Sequence, residues 1–287
     1  MSFSIYVTYW DNHLLSQIQH MIDQGVIQQN TRVILAFASF NFISNKYIPG
    51  FGSVTMDDVK NIVNLVHSVG AKISLSVGGA TYPLATSDLS GYPEELAENM
   101  NVVLNLCGFD GVDFDIEDSS SSVPDNFVET ASSIINTLRS LNSELHITLT
   151  TPGQAWVEGT YQRSLLDMAM ESIDAWQPME YDLWLEPTQD RTTNDRATHD
   201  SYMNQIQSDI EYYMTIWSVP SNKIVLGLMC GQDDMNHVLT LQDALNLTDF
   251  AKTKGLKGMM LWDANIDGKG CAGNAPYAYS MGVQALL

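Results

Sequence analysis

Eight short apolar runs, each followed by a segment with a helical apolar stripe, predict an α/β chain folded as a (β/α)8 TIM barrel. Two further observations support that class. The chain has 287 residues, a usual length for such a barrel and enough for one core that buries roughly three-quarters of the unfolded surface. The turn after the first strand reads Trp10-Asp11-Asn12-His13, without the Gly-rich fingerprint carried by nucleotide-binding forms of the competing doubly wound sheet. No linker, repeat or low-complexity block divides the chain, so one domain over residues 1–287 is expected.

Strand one is expected at about 3–9. A helix follows with Leu14, Leu15, Ile18, Met21 and Ile22 on one stripe, closed near Gly25. Arg32–Ala38 is a near-continuous apolar run of the kind buried on both faces of a parallel sheet. A loop with Pro49-Gly50-Phe51-Gly52 comes next. The pair Thr55 and Asp58 reads as a capping box for a helix with Val59, Ile62, Val63 and Val66 inward, ending before Gly70. Strand three is Lys72–Val77, running into Gly78-Gly79, and helix three spans about 94–106. Strand four is the acidic stretch Asp110–Glu117. After a Ser-rich loop at 119–122, helix four begins near Asp125 with Phe127, Ala131, Ile134 and Leu138 as its stripe. The remaining strands are Leu145–Leu149, Ala175–Trp184, Lys223–Leu228 and Gly258–Trp262. Helical patterns fill 161–171, 199–216 and 241–253, with a last one after Pro276.

The formal net charge of -21 argues against nucleic acid and anionic membrane surfaces, both of which would repel the chain. A neutral substrate fits better. No run of 18 apolar residues suggests a membrane span, and the first ten residues read as a strand instead of a signal peptide. Cys107, Cys230 and Cys271 are odd in number and sparse, which suits buried free thiols. The six histidines lack ligand spacing and default to core or solvated roles.

Strand four is Asp110-Gly111-Val112-Asp113-Phe114-Asp115-Ile116-Glu117. At the two-residue period of a strand, Asp113, Asp115 and Glu117 share one face and Val112, Phe114 and Ile116 the other. Stacking like charges at about 6 to 7 Å intervals costs free energy unless protons are shared or a function requires it. Barrel active sites lie at the C-terminal ends of the strands, so Glu117 is the accessible member and Asp113 the deepest.

This stretch resembles the Asp-Gly-x-Asp-x-Asp-x-Glu signature of family 18 glycoside hydrolases, the family of many chitinases. Ser76-Val77-Gly78-Gly79 matches the family's Ser-x-Gly-Gly on strand three. Met179-Glu180-Tyr181-Asp182 resembles its Met-x-Tyr-Asp on strand six, and Met259–Trp262 its strand-eight run ending in a sugar-stacking Trp. Tyr9-Trp10 and Ala36-Phe37 also sit where members carry similar residues.

The resemblance implies substrate-assisted retaining hydrolysis of β-1,4-linked N-acetylglucosamine polymers, in which the substrate's own 2-acetamido oxygen attacks the anomeric carbon. Glu117 would be the acid and then the base. Asp115 would orient the acetamide N–H, Asp113 would share a proton with Asp115, and Tyr181 would bond the acetamide carbonyl. Asp182 would assist beside Tyr181, which strict alternation cannot place on the same face. Tyr9, Phe37, Gly79, Met179, Trp184 and Trp262 would line the sugar site, with Trp262 as its floor. The glycines at 78 and 79 read as scaffold.

Neither cofactor nor metal is implied. The expected partner is a neutral N-acetylglucosamine-containing polysaccharide, the chain a monomer, and its action extracellular. No large insertion domain is expected, since Leu228–Gly258 has room for little more than one helix.

Three alternatives stand beside this reading. Asp263-x-Asn265-x-Asp267-Gly268 starts like a calcium loop but has Asn274 at the twelfth position. An endo-β-N-acetylglucosaminidase of N-glycans shares the acidic signature, although many such enzymes carry Asn where this chain has Asp182. A non-catalytic chitin-binding relative usually lacks the acid, and Glu117 is present. Trp156, Trp184 and Tyr82 are placed for stacking on sugars or for packing.

Overall fold

A computed structural model describes residues 1–8, 13–43, 46–50, 54–80, 92–118, 123–153, 160–183 and 196–287, with backbone alone at 39–43, 46–50 and 196–198. The protein has the (β/α)8 barrel fold. Its contacts divide the chain into two compact units, Thr8–Thr151 with Gly159–Trp176, and Met1–Val7 with Pro152–Glu158 and Gln177–Leu287.

In the first unit the parallel strands run in the order β2 (Thr31–Ile43), β4 (Lys72–Gly78), β5 (Gly111–Asp115) and β6 (His146–Pro152). Every residue of β5 is buried, as is every residue of β4 after Lys72. Helices α1 (Leu14–Asp23), α2 (Met56–Ser68), α3 (Pro93–Cys107), α4 (Phe127–Leu141) and α5 (Tyr161–Ala169) alternate with these strands in the chain.

Their ends have identifiable causes. In α2 the Thr55 hydroxyl accepts from the Asp58 amide while the Asp58 carboxylate accepts from the Thr55 amide, the reciprocal capping box read from the sequence. Its inward stripe is Val59, Ile62, Val63 and Val66, each contributing about 1.5–3 kcal/mol by burial. In α3, Pro93 occupies the first turn, and Gly108 ends the helix in the left-handed region at φ 83°.

The second unit holds β1 (Ser2–Val7), β11 (Gly258–Trp262) and β8 (Val225–Met229), parallel and in that order. The end of β7 (Ala175–Met179), at Met179, pairs with Gly227 of β8. A two-stranded antiparallel ribbon of β9 (Gly231–Gln232) and β10 (Val238–Leu239) leads into α7 (Leu241–Lys254). Leu228–Gly258 therefore holds a ribbon and one helix, and no insertion domain. The remaining helices are α6 (Arg196–Thr215), α8 (Ala264–Asp267) and α9 (Ala278–Leu286).

Three expectations need correction. The segment around Pro49 is a strand, β3 (Lys46–Gly50), paired antiparallel with an extended β2. The Phe, Tyr and Ile residues at 40, 42, 43, 47 and 48 are good strand formers. Strand six ends at Met179, five residues before Trp184. Cys107 and Cys230 are buried, but Cys271 is partly exposed. Among the described residues no helix is long and apolar enough to cross a membrane.

Candidate active site

The carboxylates of the acidic strand have three different environments. The register sets Ser76, Asp113 and Thr148 in one cross-strand row, with Gly78, Asp115 and Thr150 in a row two residues further along. Asp113 is completely buried. Its Oδ2 accepts from the Ser76 hydroxyl at 2.6 Å, and its Oδ1 from Thr148 at 2.6 Å and Thr150 at 2.8 Å. An ionised carboxylate is an acceptor only, so these donors offset much of its desolvation.

Asp115 is just as buried, yet neither of its oxygens has a hydrogen-bond partner among the described residues. Burial, then the charge of Glu117, then that of Asp113 push its carboxyl well above the ordinary range. Asp115 is thus held as the neutral acid, or as one partner in a shared proton.

Glu117 lies beyond the strand. The ladder of β5 stops at Asp115, although the Ile116 amide still donates to the Thr150 carbonyl at 2.8 Å. Glu117 Oε1 accepts from the Ala80 amide at 3.1 Å, and the side chain is partly exposed. Sequence periodicity had placed it in the ladder. The Tyr161 hydroxyl, 2.6 Å from the Asp118 carbonyl oxygen, donates to it. Burial first, then Asp118 and Glu117, raises the Tyr161 phenol, which stays protonated and able to donate.

The Ser-x-Gly-Gly segment does more than turn the chain. Ser76 bonds Asp113 directly, and the Gly79 amide donates to the Asp115 carbonyl at 2.9 Å. Gly79 has φ +73°, and a Cβ there would lie 2.5 Å from Cζ of Phe37. Gly79→Ala is therefore expected to cost roughly 2–4 kcal/mol of stability, from the left-handed backbone and the displaced ring. Urea unfolding of the variant beside wild type measures it.

In the second unit Met179 and Tyr181 are buried, and Asp182 is partly exposed with a left-handed φ of 55°. The Asp182 amide donates to Asp233 Oδ2 at 2.8 Å, and Asp182 Oδ1 accepts from the Asp234 amide at 2.7 Å. Burial, followed by the charge of Asp233, raises the Asp182 carboxyl. Trp262 is partly exposed, and its ring lies 5.2 Å from that of Tyr6 at a 56° tilt.

The proposed calcium-loop residues have other partners. Asp263 caps α8 through the Ile266 amide, and Asp267 accepts from the amides of Tyr279 and Ser280 and from the Ser280 hydroxyl. Among the described residues no group of three or more His, Cys, Asp or Glu side chains is placed to hold a metal.

Phe37, Gly79, Asp113, Asp115 and Glu117 thus belong to the first unit, and Met179, Tyr181, Asp182 and Trp262 to the second. Tyr9, Trp10, Tyr82, Trp156 and Trp184 lie outside the described residues. Sequence reasoning missed Thr148, Thr150, Tyr161, Asp233 and His237. The alternation of Thr148 and Thr150 in a strand beside the acidic one, and the Asp-x-x-x-His spacing at 233–237, were the available signals.

Comparison with known proteins agrees with the resemblance read from the acidic strand. The family model described as "Glycosyl hydrolases family 18" matches residues 3–243. Chitinase D of Niallia circulans is 25% identical over 130 residues, which is 39% of this chain and 25% of that protein, so the chain spans about a quarter of that relative's length.

Among solved structures, the catalytic domain of a hyperthermophilic chitinase from Pyrococcus furiosus aligns with TM-score 0.74 and 17% identity. That alignment covers 99% of this chain and 94% of the other. A GH18 chitinase from Pseudoalteromonas aurantia aligns with TM-score 0.73 and 19% identity over the whole of both chains. These structural likenesses establish the common fold, and the family match, which takes in most of the sequence, establishes that the chain belongs to glycosyl hydrolases family 18.

Proposed function

We propose that this chain hydrolyses β-1,4 bonds between N-acetylglucosamine units of chitin or chitooligosaccharides by substrate-assisted retaining catalysis. The observation that carries the proposal is Asp115: a fully buried carboxyl without a hydrogen-bond partner among the described residues, held toward its neutral form by burial and by the charges of Glu117 and Asp113. A group in that state is suited to accept an N–H bond from a substrate acetamide and to take up negative charge as the neighbouring sugar becomes cationic.

In the proposed sequence Glu117 gives its proton to the glycosidic oxygen as the acetamide carbonyl oxygen closes on C1, forming a cyclic oxazolinium and releasing the leaving sugar. Asp115 passes its proton to Asp113, accepts from the acetamide N–H and, so ionised, stabilises that cation, recovering the proton when the ring opens; the Tyr181 hydroxyl donates to the acetamide oxygen. Glu117, now ionised, takes a proton from the water that opens the ring, which restores the enzyme with retained configuration. A neutral polysaccharide suits a protein of net charge -21.

Time-resolved product analysis on N-acetylglucosamine hexamer, run in parallel on an N-glycopeptide, tests the reading. Cleavage of the hexamer with the β-anomer formed first is the expected result. Cleavage of the glycopeptide alone would move the assignment to an endo-β-N-acetylglucosaminidase, and hexamer binding without cleavage would make the protein a lectin.

A further inference from the structure

Tyr181 and Asp182 leave the strand just past the end of β7, where the parallel ladder no longer holds them. Something else must aim them. The tip of the β9–β10 ribbon carries Asp233 and His237, whose side chains are only 2% and 4% exposed. Asp233 accepts four N–H bonds. The amides of Met235 and His237 donate to Oδ1 at 3.0 and 2.8 Å, and the Asp182 amide and His237 Nδ1 approach Oδ2 at 2.8 and 3.0 Å. Four donors match the lone-pair capacity of an ionised carboxylate, so Nδ1 carries the imidazole hydrogen. His237 Nε2 is buried without a partner among the described residues.

The contacts continue to the other side of Tyr181. The His237 ring stacks on Tyr202 with centroids 4.6 Å apart and 17° between planes. The Tyr202 hydroxyl donates to the Glu180 carbonyl at 3.2 Å, while the Glu180 amide donates to Gly227 at 2.9 Å. From Asp182, the Oδ1 bond to the Asp234 amide returns to the ribbon. The backbone is thus fastened at residue 180 and again at residue 182, on either side of the phenol.

We propose that Asp233, backed by His237, is a positioning residue that fixes the aim of Tyr181 and Asp182 through this two-sided clamp. The role rests on the glycosidase reading above, because Tyr181 is assigned there to the acetamide. Asp233 touches no substrate in this scheme. It acts by holding the left-handed Asp182 backbone, and it matters most when Tyr181 must meet the oxazolinium.

The test uses the full chain with Asp233→Ala and Asp233→Asn, assayed by hexamer hydrolysis, by inhibition with a thiazoline mimic of the oxazolinium, and by amide exchange of the peptide over 180–183. Asp233→Ala is expected to lower kcat on the order of 100-fold with KM little changed, the cost of a misplacement of about an ångström. Thiazoline inhibition should weaken by about tenfold or more, and exchange at 180–183 should accelerate. Asp233→Asn, with one acceptor oxygen in place of two, should fall between.

A merely destabilised protein would lose thermal stability without separating thiazoline inhibition from KM. Folded variants with wild-type kcat and thiazoline inhibition would overturn the proposal, and Asp233→Asn decides it if the alanine variant does not fold. A wild type inactive on the hexamer would sink the functional reading alone. The clamp would then stand or fall on exchange at 180–183 in the variants.

Discussion

Glu117→Gln is expected to lower kcat on N-acetylglucosamine hexamer by about 10³- to 10⁴-fold, with KM changed only a few-fold. Glutamine matches glutamate in size, and its carbonyl oxygen can still accept from the Ala80 amide, 3.1 Å from Oε1 in the present chain. What the amide cannot do is release a proton to the glycosidic oxygen or take one from water. Loss confined to kcat would mark an interaction made only in the transition state. Initial-rate kinetics and hexamer affinity by calorimetry separate the two quantities. A variant that kept a tenth or more of the wild-type rate would mean that another group supplies the proton.

Asp115→Asn is expected to act in opposite directions on activity and stability. Activity should drop by about 10²- to 10³-fold, since the amide can still meet the acetamide but no longer carries charge opposite the oxazolinium. Stability should rise, in a pH-dependent way. The carboxyl has an ordinary value of 3.8 in the unfolded chain and a value raised by burial, Glu117 and Asp113 in the fold. Below 3.8 both states bind the proton and Asp115 adds no pH dependence.

As pH climbs through and past that point, the folded state retains the proton longer than the unfolded one, so stability falls until the folded group has also ionised. Asparagine removes this loss. The variant should therefore gain nothing at pH 3 and about 0.5–2 kcal/mol at pH 8, a usual size for relieving a destabilised functional position. Urea unfolding at the two pH values checks the sign, and a gain equal at both would contradict it.

The barrel was legible because its strands are short, apolar and regularly spaced. Lys72–Val77 and Gly258–Trp262 could be bounded nearly to the residue, since a glycine or a charge closes each run. The capping box at Thr55 was equally readable, being a local pairing of residue types. The acidic strand was readable for the opposite reason: three carboxylates at a period of two have no stabilising explanation.

What stayed hidden depends on where the chain leaves its ladder. Periodicity continued Glu117 along the strand, whereas the backbone abandons β5 at Asp115. The roles of Asp233 and His237 follow from a turn meeting residue 182 about 50 positions away in sequence, and no local pattern encodes that meeting. Thr148 and Thr150 looked like ordinary strand threonines until the register set them beside Asp113 and Asp115, from where both hydroxyls donate to Asp113.

The hydroxyl floor under Asp113 has an evolutionary consequence. Ser76, Thr148 and Thr150 can each be exchanged for a residue of similar volume that lacks the donor, Ala for the serine and Val for the threonines, without touching any acidic residue. Under the proposed sharing of a proton between Asp113 and Asp115, each exchange would remove a donor to Asp113, draw that proton toward it and leave Asp115 easier to ionise. Acid tolerance and working pH could thus drift among relatives through neutral-looking changes in two flanking strands, while the Asp-x-Asp-x-Glu signature itself stayed the same.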